Sequence, residues 1–435
     1  MSKIDVETFS DFFLSKVLNA DNVAKSLNFH NPIDSINLSN GLSGVLAFLG
    51  ICKSQKLNTE ISEICHKYIK TISEKLQNSY YDLSLYKGIT GVIFSIYLSS
   101  NNGFEYQNLI NTLETHLREE ILRHLILPIE KATNNNYLLH PSSLNLSSGL
   151  SGIIAYLTLR IDSCRENNEI LDKCTQTLAN YLERNLVHDD KNVPGWYSPY
   201  DESLHYLDKH KYPNGSFALS HAYGISGYLA ALTTYLECRQ GNQSIFNLVE
   251  KLSNWLINVA EKKPDGYFWP ISASYEEVLK GQYSEHLNRD SWFCGIPSIA
   301  LTLYRVGKLL NKKKFCEFAE KAYLSLFEKN FKDWNLIATQ LFYGRAGVLL
   351  TTHRMALLTN NQFLINQRSK LEDELLRYYN PSNLFGFRSV ETTEGGNFSW
   401  EDNPGLLFGA SGTILTLMTI NNPEFENWDR ILLTT

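Results

Sequence analysis

A four-residue Gly-x-x-Gly or Gly-x-x-Ser turn recurs seven times along the 435 residues, each time opening an apolar stretch. Four copies run Gly41 to Gly44 before VLAFLGIC, Gly88 to Gly91 before VIFSIYL, Gly149 to Gly152 before IIAYLTL, and Gly224 to Gly227 before YLAALTTYL. Three more run Gly295 to Ser298 before IALTLYRV, Gly344 to Gly347 before VLLTTHRMALL, and Gly409 to Gly412 before TILTLMTI. Glycines three apart share one face of a first helical turn, where they permit close backbone approach and tolerate unusual dihedrals at the helix start. One copy would mean little. Seven ordered copies restrict the chain to a helical repeat.

Amphipathic segments separate the copies: ISEICHKYIKTISEKL, NLINTLETHLREEILRHL, SIFNLVEKLSNWLINVAEK and KFCEFAEKAYLSLFEK carry apolar residues at helical spacing and have one wet face. A mostly apolar helix alternating with an amphipathic one predicts an all-α fold: a single α/α toroid, residues 1–435, with about seven inner and seven outer helices. The copies lie 47 to 75 residues apart, and the excess collects in two Pro-, Asn- and aromatic-rich insertions, residues 134–146 and 193–217. In such a toroid the N-termini of the inner helices gather at one end and make a polar floor. Function is therefore sought beside the glycine turns.

Hydrophobic residues at 43% and charged residues at 20% supply a large core, and a net charge of −6 lacks the basic surplus of a nucleic-acid binder. The one basic run, Lys312 to Lys314, reads as a solvated helix start. Residues 1–14 hold Asp5, Glu7 and Asp11, unlike a secretory signal, and no apolar run of about 20 residues suits a bilayer. The expectation is a cytoplasmic protein with no membrane insertion. Seven cysteines without a CxxC pair suggest reduced thiols.

With RDSWFCGIPS at Arg289 to Ser298 and LLFGASG at Leu406 to Gly412, the ordered turns resemble the lanthionine synthetase C (LanC) family over nearly the whole chain. The resemblance implies a cyclase of ribosomal peptide maturation that adds a cysteine thiol of a precursor peptide to dehydroalanine or dehydrobutyrine. It also implies a zinc ion held by Cys, Cys and His, which lowers the pKa of the substrate thiol. The first zinc cysteine of the family falls here on Phe293, and the adjacent Cys and His fall on Phe342 and Tyr343. The family's general-acid histidine falls on Tyr223 and its aspartate on Asn145; Arg289 is retained. Phenylalanine has no lone pair to donate, and a tyrosine of pKa near 10 is a poor ligand at neutral pH. No metal cofactor is expected, unless zinc occupies a relocated site, for which only Cys294 and His221 offer themselves.

Each candidate carries two readings. Cys294 is a buried thiol beside Pro297, or a nucleophile activated by His221. His221 is a structural histidine or part of that couple. Arg289 and Asp290 pair with each other to fix the loop before Trp292, or Arg289 contacts an anion or carbonyl. Trp292, Tyr223, Phe293, Phe342, Tyr343 and Phe408 fill a core, or line a groove for dehydrated peptide residues. The aromatic insertion Pro194 to Gly215 is a lid or a pinned loop.

The leading expectation is a LanC-like protein that binds a modified precursor peptide without zinc, alongside a dehydratase or other maturation enzyme. An active cyclase with a remodelled site at Cys294 and His221 is the first alternative. A glycan-processing toroid, with Asp290, Glu401 and Asp402 as its acids, is the second.

Overall fold

The structure, a computed structural model, describes residues 6–27, 32–55, 60–77, 81–161, 163–199, 212–239, 242–264, 266–283, 289–329, 334, 336–392, 398–422 and 428–435. Gly41, Gly88, Gly149, Gly224, Gly295, Gly344 and Gly409 each stand just before a helix. The helices are Leu42–Ser54, Ile89–Ser99, Leu150–Leu159, Ile225–Cys238, Ile296–Leu309, Arg345–Thr359 and Ala410–Asn421, buried on nearly every face. Between them lie one-sided helices. Ile61–Leu76, for example, buries Ile61, Ile64, Cys65, Tyr68, Ile69 and Ile72, a single stripe, and leaves its charges in water.

Two amphipathic segments end differently from the sequence expectation. The segment starting at Gln107 does not stop near Leu125; it passes through a π turn, Leu122–Ile126, into Leu127–Asn134. Pro128 lacks an N–H for the regular ladder, and the wider turn absorbs the mismatch. Gln243–Asn258 stops before Glu261–Lys263, which is a strand paired with Gly266–Phe268. Pro264 disfavours helix at the residue before it, and Gly266 (φ 127°) turns the chain. Three other antiparallel pairs occur among the described residues: Asn185–His188 with Lys191–Pro194, Ser216–Ala218 with Ser272–Ser274, and Ser389–Thr392 with Phe398–Glu401.

Contacts divide the chain into two compact units, residues 1–117 with 336–429, and residues 118–335 with 430–435. In the first unit the buried helices are neighbours in the order Arg345–Thr359, Ala410–Asn421, Leu42–Ser54, Ile89–Ser99, so the last buried helix of the chain packs on the first. In the second the order is Leu150–Leu159, Ile225–Cys238, Ile296–Leu309.

The turns themselves are linked through one position, two residues before the first glycine. In the first unit, Phe342 N donates to Leu407 O (3.1 Å), Leu407 N to Ser39 O (2.9 Å), and Ser39 N to Tyr86 O (3.0 Å). In the second, Ser147 N donates to Ala222 O (3.0 Å), and His221 N (2.8 Å) and Ala222 N (3.4 Å) donate to Phe293 O. Equivalent residues of successive repeats thus sit side by side, satisfying backbone groups that the loops would otherwise leave buried and unpaired.

The reason for glycine is narrower than the sequence suggests. Only Gly295, at φ 81°, needs the left-handed region; the other glycines before the helices are extended. At Gly91, Gly227 and Gly412 a Cβ would collide with a carbonyl of the same turn, Leu85, His221 and Leu406 respectively. Each turn folds back onto its own helix, and that contact excludes a side chain.

Candidate functional site

Polar residues build the turns before any of them can act on a ligand. Asn145 is buried, and its Oδ1 accepts from Ser148 N at 2.7 Å. Asn37 does the same for Asn40 N (2.7 Å), and Ser84 for Lys87 N (3.2 Å). Asn145 therefore holds its turn by the local side-chain bond that Asn and Ser favour. After the first glycine, Ser43, Thr90, Ser151 and Ser411 each donate to a carbonyl seven residues earlier, at 2.5 to 2.7 Å. In the fourth repeat the corresponding Ser226 faces His221 Nδ1 at 3.3 Å.

His221 is fully engaged. Its Nε2 lies 3.0 Å from the carbonyl of Leu432, so the proton sits on Nε2 and Nδ1 accepts from Ser226. Burial pushes its pKa down to about 4, which keeps the ring neutral. Its ring stands edge-on to Trp292, 5.5 Å away, and the indole N–H of Trp292 donates to the same Leu432 carbonyl at 3.0 Å. Trp292 is 0% exposed, so it belongs to the core and has no face free for a peptide.

Cys294 is likewise 0% exposed. Its thiol donates to the carbonyl of Arg289 at 3.0 Å and lies 3.8 Å from Ser291 Oγ, and burial pushes its pKa up to about 12. The left-handed Gly295 turns Cys294 inward where the equivalent Tyr223 of the fourth repeat is 39% exposed. The structure thus gives Cys294 and His221 separate partners, and a neutral thiol with a neutral imidazole has no thiolate to offer. The buried Asp290 is held by Lys329 Nζ at 2.8 Å, and its Oδ1 accepts from Ile296 N at 3.0 Å, the first residue of the fifth buried helix. Lys329 is the partner of this carboxylate where the sequence pointed to Arg289. Arg289 itself is half-buried.

What the fourth and fifth turns present is aromatic: Tyr223 meets the half-buried Phe293 edge to face, with centroids 5.6 Å apart. In the first unit, Phe342 and Phe408 lie 4.8 Å apart, and Tyr343 is 5.7 Å from both. Phe342 is buried, while Tyr343 and Phe408 are half-buried. Tyr343 Oη donates to Val390 O at 2.7 Å, and Gln340 brackets Val390 through both its amide atoms, at 3.1 and 3.3 Å. These bonds moor the strand Ser389–Thr392 to the sixth turn.

The residues at the family's zinc-ligand positions do not suit zinc. Phe293 and Phe342 carry no donor atom, Tyr343 uses its hydroxyl on Val390, and no three His, Cys, Asp or Glu side chains group around a common point among the described residues. Of the acids of the glycan reading, Asp402 has structural partners like Asp290: it accepts from Arg388 (3.0 Å) and from Leu384 N (3.0 Å). In the insertion Pro194 to Gly215, residues 200–211 lie outside the described residues; Tyr197 is buried, donates to Asn214 O at 2.6 Å and packs on Phe217.

Buried helices opened by interlocked glycine turns, with an aromatic group at each set of turn tips, define an α/α protein of the LanC type. The chain belongs to the lanthionine synthetase C-like protein family, whose model matches residues 32–433. It is 24% identical over 407 residues to the nisin biosynthesis protein NisC of Lactococcus lactis subsp. lactis, covering 92% of this chain and 88% of that protein. The solved structure of a nisin cyclase superposes with a TM-score of 0.74 at 19% identity, over 99% of this chain and 96% of that one. That likeness shows the fold class read from the repeat, all-α with the α/α toroid topology. Among the described residues, no helix is long and apolar enough to cross a membrane.

Proposed function

We propose that this chain binds a modified precursor peptide during lanthipeptide-type maturation without the zinc ion of the family, presenting it to a dehydratase or other maturation enzyme in the cytoplasm. The observation that carries the reading is the substitution of the three ligand positions by Phe293, Phe342 and Tyr343, each seated in an aromatic contact. Without a metal to lower its pKa, a cysteine thiol of about 8.5 remains mostly protonated at neutral pH, and Cys294 and His221 provide no substitute base. Aromatic faces and edges instead suit the apolar side chains and flat dehydrated residues of such a peptide. NisC, by its name a protein of nisin biosynthesis, supplies the peptide class.

The test uses a fluorescent synthetic peptide containing dehydroalanine, dehydrobutyrine and free cysteines. Binding is followed by anisotropy, and thiols are counted by alkylation because ring closure leaves the mass unchanged. Saturable binding with every thiol retained is expected, and Tyr223→Ala or Phe293→Ala weakens it roughly tenfold. Enzyme-dependent loss of thiols overturns the reading in favour of a cyclase.

A further inference from the structure

Residues 430–433 belong to the second unit, and there Ile431 and Leu432 are 0% and Leu433 1% exposed. The Leu432 carbonyl accepts from two buried donors, His221 Nε2 of the fourth turn and Trp292 Nε1 of the fifth, both at 3.0 Å. Two donors use both lone pairs of that oxygen. One residue on, the Leu433 carbonyl accepts from Arg305 Nη1 at 2.7 Å. Arg305, on the fifth buried helix, also reaches Thr234 Oγ1 (2.8 Å) and Glu237 Oε2 (2.5 Å) on the fourth. Leu433 adopts φ 55°, a strained choice for a branched residue that persists only where its surroundings dictate it. Two successive carbonyls of one segment thus bind two successive repeats, first at the turns and then along the helices.

We infer that Leu432 and Leu433 are positioning residues: their carbonyls, read by His221, Trp292 and Arg305, fix the fourth turn against the fifth and so set the spacing of Tyr223 and Phe293. His221 lies two residues before Tyr223, and Trp292 immediately precedes Phe293, so each donor anchors the backbone that carries one of the two rings. The backbone bond from His221 N to Phe293 O, at 2.8 Å, transmits the same register. The geometric claim stands on these bonds alone; its consequence for peptide binding rests on the proposed function. Removing a donor strands a buried carbonyl lone pair or imidazole partner, which loosens the turns before it unfolds the helices.

Three variants of the full chain separate this role from general destabilisation. His221→Ala removes one donor, Trp292→Phe removes the other together with part of the ring, and His221→Gln supplies an amide N–H in place of the imidazole's. Hydrogen exchange is read at residues 221–223 and 293–294, with the helix Gln243–Asn258 of the same unit as reference. In His221→Ala and Trp292→Phe, turn exchange is expected to rise roughly tenfold with the reference unchanged, and His221→Gln should restore most of the protection. Unchanged turns, or an equal rise in turns and reference, overturn the inference. With the dehydrated peptide as probe, affinity should fall about fivefold in His221→Ala and recover in His221→Gln. If the parent chain fails to bind that peptide, the proposed function fails and the exchange result still decides this inference.

Discussion

Asp290 is a motif residue with a structural task. One carboxylate oxygen caps the fifth buried helix and the other pairs with Lys329, at side-chain exposures of 8% and 11%. Asp290→Asn keeps the cap and removes the charge, leaving Lys329 buried and unbalanced. A loss of about 3 kcal/mol in urea unfolding is expected, and a loss below about 1 kcal/mol would show the pair to be dispensable. The histidines add a pH dependence. Burial holds His221 and His353 at about 4, below the 6.5 of the unfolded chain. Below about pH 6.5 the unfolded chain takes up protons that the folded one refuses. Stability is thus full above that pH and falls toward pH 4, by up to about 1.4 kcal/mol per unit for each group. Unfolding free energies measured from pH 7 to 4.5 should fall less steeply in His221→Gln than in the parent; equal slopes would contradict the assignment.

At the scale of elements, the glycine turn is the unit that must not change. Gly412→Ala drives a methyl group against the Leu406 carbonyl, which a folded backbone cannot move aside; a loss above about 3 kcal/mol is expected. Gly281→Ala meets nothing within 4 Å and, at φ 65°, should cost only about 1 kcal/mol. Comparable losses for the two would refute the steric account. The seven helix starts were legible because glycine spacing and apolar runs are local signals, and Ile61–Leu76 matches its sequence segment end to end. The backbone ladder between turns, the mooring of Ser389–Thr392 by Gln340 and Tyr343, and the Leu432 carbonyl were not legible. Their partners lie far apart in the chain, 211 residues for His221 and Leu432, and no composition or period records such a contact. The inward turn of Cys294 has a local cause in Gly295, yet its sign depends on a φ that sequence does not display.

For the molecule as a whole, family and site chemistry diverge. The chain matches the LanC-like family from residue 32 to 433, while the proposed function takes Phe293, Phe342 and Tyr343 to stand where the family would hold its metal. On the proposed reading, Phe293, Phe342 and Tyr343 offer no set of donors for a soft, four-coordinate cation and suit apolar contact instead. Elemental analysis of the purified chain, prepared without chelator and dialysed against zinc-free buffer, tests this most directly. Zinc far below one ion per chain is expected. One zinc per chain surviving dialysis would contradict this and point to a metal-dependent cyclase with ligands other than Phe293, Phe342 and Tyr343.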